Sequence, residues 1–269
     1  MDSARNRQVL HFLAAVMTAF VCSQAIADDF HVDNKVYRNL DDKHEKPELT
    51  TTLFASGRVY DFTKAPDETI VFDPGQDRVI LLDPNRQMKT HISTGDISTQ
   101  ISKLREAAKS HSKEVVRDAA AAKFSESVDP DTGVLRLTNR WMKYEIETSA
   151  PARPQVARQY ADFADWQKQL NSILNPPDMP FPRLTVNRIL RQRQELPVKI
   201  TLTVTAEDKW HKERVMRSEH TILMTLAKED LKRIEQAAEQ MHKFDEVTFD
   251  EYHNIKNEAR VQAEASLKR

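Results

Sequence analysis

The sequence predicts an α+β fold, and three observations predict it. Short apolar–polar alternations separated by Gly and Pro fill residues 30–92. Helical periodicity takes over near residue 97 and again after Pro154, with apolar side chains recurring every three or four positions. The clearest alternation of all then returns: Val198, Ile200, Leu202 and Val204 interleave with Lys199, Thr201 and Thr203.

Taken in order, residues 30–32 and 35–37 are short strands, followed by a charged loop at 41–48 that Pro47 closes. Strands at 49–55, 59–62, 69–72 and 79–82 are separated by turns at Ser56-Gly57, Ala65-Pro66-Asp67 and Pro74-Gly75, as successive hairpins require. Val79, Ile80, Leu81 and Leu82 are apolar in succession, so both faces of that strand must be covered. Ser93-Thr94-Gly95-Asp96 has N-cap chemistry, and Ile97, Ile101, Leu104 and Ala108 share one helical face. After a break at 110–112 a second helix is expected to run to about Phe124.

Asp129-Pro130-Asp131-Thr132-Gly133 is a turn, and Met142, Tyr144 and Ile146 alternate as a half-buried strand. Pro154 suits the first turn of a helix whose stripe is Val156, Tyr160, Phe163, Leu170, Ile173 and Leu174. Pro176-Pro177 ends it, and Pro180 and Pro182 are expected to extend a rigid connection to Arg183. A charged loop at 207–214 joins the strand at 198–204 to another at 216–226 as a hairpin. A last helical region starts near Lys228 and continues past Asp245-Glu246 through Phe249, Tyr252, Ile255 and Ala259.

Ahead of all this stands a segment with the marks of a secretory signal. Arg5 and Arg7 give a positive start, residues 9–21 an apolar stretch, and Ala25-Ile26-Ala27 the small residues a signal peptidase reads. Cleavage is expected before Asp28. The apolar stretch is shorter than the roughly 20 residues that a bilayer span needs. Cys22, the one cysteine, leaves with the signal, so the mature chain has no disulfide. The expected organisation is a signal peptide at 1–27, a single α+β domain at 28–246, and a C-terminal helical extension at 247–269 that frays at its end. A formal net charge of −1 gives no general attraction to nucleic acid or anionic membrane. No integral membrane span is expected after cleavage.

No catalytic motif emerges: neither a nucleophile elbow, nor His-Glu-x-x-His, nor Cys-x-x-Cys, nor a glycine loop for phosphate. The only glycines are Gly57, Gly75, Gly95 and Gly133, all at turns or a helix start. His211 and His220 face each other across the expected hairpin, and His242 and His253 lie in the last helical region; none has a metal-site spacing. Asp61, Asp73 and Asp83 follow apolar runs and read as turn-starters, with glycosidase-type acid–base work the other reading. Arg183, Arg188, Arg191 and Arg193 read as a solvated face, or else an anion-attracting one. Trp166 reads as core. The chain is therefore expected to be non-enzymatic, with no catalytic residue, metal or cofactor.

Leu53-Phe54-Ala55-Ser56-Gly57-Arg58-Val59-Tyr60-Asp61-Phe62 resembles a hairpin of the periplasmic lipoprotein-carrier (LolA/LolB-like) superfamily. Ile70-Val71-Phe72-Asp73-Pro74 and Ile80-Leu81-Leu82-Asp83-Pro84 look like its next hairpin. The resemblance covers residues 49–92. It implies a strongly curved antiparallel sheet, open and half-barrel-like, with helices packed on its concave side around a hollow for acyl chains. It carries over no functional residue. If the hollow exists, Phe54, Phe62, Phe72, Leu82, Tyr144, Ile200 and Met224 are expected to line it; otherwise they are ordinary core. The partner so implied is a lipid or acyl chain; independently of the resemblance, the amphipathic C-terminal helical region from Val247 to Ala263 is a surface for a protein partner. The implied location is the periplasm or the extracellular space. The alternatives are a structural or interaction protein without a pocket, and a hydrolase with a non-local site. Amino-terminal sequencing of the exported protein should begin at Asp28; a chain that still begins at Met1 would overturn the cleavage.

Overall fold

The structure, a computed structural model, describes residues 28–40, 46–64, 67–176, 178–205 and 213–267, with side chains to residue 258. The signal segment with Cys22, His211, Ala65-Pro66 and much of the two charged loops lie outside the described residues.

Among the described residues, twelve strands form one open sheet. They are β1 (Phe30–Tyr37), β2 (Glu48–Ala55), β3 (Arg58–Lys64), β4 (Asp67–Asp73), β5 (Arg78–Asp83) and β6 (Met88–Ser93), then β7 (Ser125–Val128), β8 (Leu135–Thr138), β9 (Met142–Ser149), β10 (Leu196–Val204), β11 (Arg214–Leu223) and β12 (Asp245–Glu246). The order across the sheet is β12-β6-β5-β4-β3-β2-β1-β11-β10-β9-β8-β7. Every pairing is antiparallel except that of β12 with β6. The strands before and after the central helices thus meet in a single sheet, at the contact of β1 with β11.

Register sorts the side chains into two faces. Phe30, Phe54, Val59, Phe72, Val79 and Ile92 stand directly opposite one another from β1 to β6. All six are buried. The row one residue over, Leu53, Tyr60, Val71 and Ile80, points to the other face and is buried too.

Helices cover both faces, as the unbroken apolar run in β5 requires. α1 (Thr94–Lys109), α2 (Glu114–Ala121) and α3 (Pro154–Leu174) pack on the Phe30–Ile92 row. Ser93 caps α1 by accepting from the Asp96 amide at 3.0 Å. α4 (Phe181–Arg193) seals β8, β9 and β10 through Val186, Ile189 and Leu190. α5 (Lys228–Lys243) lies on the opposite face, its Ala237 against Leu53, Val71 and Leu82. One helix therefore sits away from the side where the sequence reading placed the helices.

His31 ties α5 to β1. Its Nδ1 lies 2.9 Å from Asp230 and its Nε2 2.9 Å from Asp33. Burial opposes charging the ring, yet hydrogen bonds to Asp230 and Asp33 outweigh it, and the pKa is raised. The C-terminal α6 (Phe249–Leu267) also docks on the domain. Tyr252 is fully buried and donates to Glu68 at 2.7 Å, and Lys256 Nζ reaches the same oxygen at 2.5 Å. Val247, Phe249 and Ile255 pack against the same core.

Several elements depart from the sequence reading: the two short strands expected at 30–32 and 35–37 are one, β1, and Met88–Ser93 is a strand that was not foreseen. The expected rigid connection to Arg183 is the start of α4, where Pro182 occupies a first-turn position that has no amide to lose. The helix expected to reach Phe124 stops at Ala121, and Ala122 turns left-handed with φ 47°. Ser125–Val128 is an edge strand, exposed throughout, that carries no apolar alternation to announce it.

Phe54 stacks on Phe30 at 3.9 Å between ring centres and meets the edge of Phe163 at 5.7 Å, so it joins β1, β2 and α3. Truncating it with Phe54→Ala should cost roughly 3–5 kcal/mol of unfolding free energy in urea titration. A loss below about 1 kcal/mol would deny it that central place.

Candidate functional site

The side of the sheet that α1–α4 cover grades from apolar to polar along the strands. Its apolar end is the Phe30–Ile92 row. Two residues further along lie Val32, Thr52, Asp61, Ile70, Leu81 and Thr90, again directly opposite one another. Two residues beyond that come His220, Asn34, Thr50, Thr63 and Glu68. Successive same-face rows are about 7 Å apart, because each residue advances a strand by about 3.4 Å.

Asp61 is the acidic centre of the middle row. It sits at the fourth of seven positions in β3, 1% exposed, and so is no turn-starter. Thr52 donates to one carboxyl oxygen at 2.7 Å and Gln167 of α3 to the other at 2.8 Å. Burial pushes its pKa from 3.8 up to about 6; the two hydrogen bonds resist, and nearby Glu68 adds to the rise. Asp73 and Asp83 do stand at strand ends. Asp73 pairs with Arg58 at 3.0 Å, and Asp83 accepts from the Arg86 amide at 3.0 Å. The three carboxylates thus serve separate places, and no acid–base pair forms among them.

His220 departs most from the sequence reading, which set it across a hairpin from His211; it stands opposite Asn34 of β1. It is 9% exposed, and its ring meets Tyr160 of α3 edge-on at 6.0 Å. Burial, together with the charge of Arg183, lowers its pKa to about 3, so the ring is neutral. Among the other predicted histidines, His253 stacks on Phe249. No group of three or more His, Cys, Asp or Glu suited to a metal occurs among the described residues.

The four arginines of the basic stretch are mostly tied within the fold. Arg191 bridges Asp162 at 2.9 Å and Asp165 at 2.6 Å, and Arg193 holds Glu195 at 3.0 Å. Arg188 donates to Gln192.

The seven side chains expected around a hollow fall into three clusters. Phe54 and Phe72 belong to the core under α3, where Phe72 lies 5.7 Å from Trp166, and Met224 packs against that core. Leu82 and Phe62 point the other way, toward α5. Tyr144 and Ile200 lie beneath α4. Two surface clefts, of about 190 and 290 Å³, lie elsewhere and touch none of the seven. No helix among the described residues is long and apolar enough to cross a membrane.

Because folded Asp61 holds its proton to a higher pH than the unfolded chain, stability falls as pH rises from about 4 to about 6, by up to about 3 kcal/mol. Asn at this position keeps an acceptor for Gln167 and offers a donor that Thr52 can accept. Asp61→Asn should therefore flatten this decline and raise the unfolding midpoint at pH 7.5; urea titrations of both proteins from pH 4 to 8 would measure it. Parallel profiles would contradict the buried carboxylate's role.

No family model and no curated protein matches the chain. Among solved structures it is similar to a LolA superfamily protein from Nitrosomonas europaea, at 8% identity over 77% of this chain and 89% of that one. The TM-score is 0.27, which makes the resemblance a weak one.

Proposed function

We propose that this chain is an exported, non-enzymatic protein of the bacterial envelope that takes an amphiphilic, largely apolar ligand between its sheet and its helix layer. The observation that carries the reading is the grading of the helix-covered face. An acyl chain would lie along the Phe30–Ile92 row and its polar end would reach the His220–Glu68 row. Each buried methylene contributes about 0.8 kcal/mol, so a short chain is enough for useful affinity. Residues 1–27, read as a signal, support delivery to the periplasm or the extracellular space.

In the closed form α3 fills the space. Admission requires this helix to lift, parting Phe163 from Phe54 and Trp166 from Phe72. That packing also favours a second reading, an interaction protein on the same scaffold with no ligand. Phe249, Tyr252 and Ile255 of α6 pack against the domain's own core, which leaves the outer face of the helix for a partner.

Native mass spectrometry of the protein purified from its own envelope fraction separates the two. The expected result is an added mass that solvent extraction removes. A bare polypeptide mass, with no uptake of a fluorescent fatty acid by the purified protein, would leave the interaction reading in possession.

A further inference from the structure

His31 stands between two carboxylates that belong to different parts of the fold. Its Nδ1 lies 2.9 Å from Asp230 Oδ2, in the first turn of α5, and its Nε2 lies 2.9 Å from Asp33 Oδ1, two residues along β1. The ring is buried, the Asp230 side chain is 6% exposed, and that of Asp33 is half exposed. The same Asp230 oxygen accepts from the Ala227 amide at 2.9 Å. The carboxylate that meets the ring therefore also closes the start of the helix.

Only the imidazolium serves both carboxylates, because a neutral ring has one N–H and turns a lone pair toward whichever oxygen it leaves. The other charged group that bears on this point is Arg233 of α5, which attracts Asp33 and lies over the Phe62 ring at 6.0 Å. Lys228 and Glu229, in the same turn as Asp230, are exposed. Opposite His31 on β2 and β11 stand Leu53 and Leu223, and Thr51 of β2 donates to Asp33 at 2.8 Å. Loss of the ring proton thus leaves two carboxylates around a neutral imidazole. Asp33 can swing into water. Asp230 is enclosed, and it reaches water only if the first turn of α5 moves.

We infer that His31 is a proton-operated latch for α5: the doubly protonated ring holds the helix against β1, and its loss of a proton lets the amino end of α5 lift from the sheet. The lifted helix uncovers Leu53, Val71 and Leu82, the apolar face that Ala237 now seals. The device acts on the face opposite α3 and is independent of any ligand there. Burial alone would lower the pKa of such a ring, but the two carboxylates reverse this and raise it. The hold is therefore complete below the ordinary histidine value of 6.5 and is lost as pH rises through the higher folded value.

Hydrogen–deuterium exchange of the full exported chain, resolved by peptide and corrected for the intrinsic rate at each pH, tests the latch. The window runs from about pH 6.5 to 8.5, above the range in which Asp61 acts. Across it the protection of α5 should fall about tenfold, the worth of one hydrogen bond to a charged group, and that of α1 less than about twofold. His31→Gln, whose amide donates at every pH, should abolish the difference. An equal fall in both helices would overturn the latch, since the proton would then act on the whole fold. Unchanged protection in α5, or a fall that persists in His31→Gln, would overturn it too. Should His31→Gln fail to fold, the His31 ring signals of the unaltered protein decide by NMR. A titration whose midpoint matches the loss of α5 protection supports the latch; a midpoint elsewhere, or a ring already neutral at the start of the window, overturns it.

Discussion

The fold depends on one registered row. Phe30, Phe54, Val59, Phe72, Val79 and Ile92 come from six strands, and each faces the next across an antiparallel pair. Shifting any of these strands by one residue would turn its member of the row toward α5 and bring the opposite face under α3. Because both faces are apolar here, hydrophobicity alone discriminates weakly between the two registers. The aromatic stack of Phe30 on Phe54 and the polar pair Thr52–Asp61 break the tie. A slip would bury the Asp61 carboxyl away from Thr52 and Gln167, which is far costlier than misplacing a methyl group.

This gives the buried polar row a structural meaning alongside any ligand role. Asp61 weakens the fold at neutral pH, because burial disfavours its charge, yet it specifies how β2, β3 and α3 meet. His31 contributes in the same direction from the other face. Its raised pKa favours the folded chain at low pH, and that support is lost as pH rises through the folded value. The two faces thus respond to protons through different groups, but both yield the more stable protein in mild acid.

Strands β2 to β5 were legible because alternation and turn residues agree on each of them, and α1, α3 and α5 because their apolar stripes are wide. α4 was hidden by Pro180 and Pro182, which look like breakers along the sequence and start a helix only because the chain turns into one directly after them. Ser125–Val128 has no apolar signal and becomes a strand by pairing with β8. The seven expected pocket residues scattered because parity within one strand cannot say which face a residue shares with another strand. Phe62 and Phe72 look equivalent in sequence, yet register sends Phe62 toward α5 and Phe72 toward α3. His220 was illegible for a related reason, since the ring that meets it, Tyr160, comes from a helix far away in the sequence.

The place of β1 has a consequence for how the molecule assembles. The first described strand is the keystone between two half-sheets, pairing with β2 on one side and with β11, nearly two hundred positions later, on the other. A chain that emerges from its amino end, from a ribosome or through a membrane pore, can close the first hairpins at once. Its keystone must wait with one flank bare until almost everything else has arrived. Such late closure is slow and leaves an adhesive edge exposed in the interval. It makes the crowded moments of synthesis, rather than the finished fold, the time at which this protein most needs a guardian.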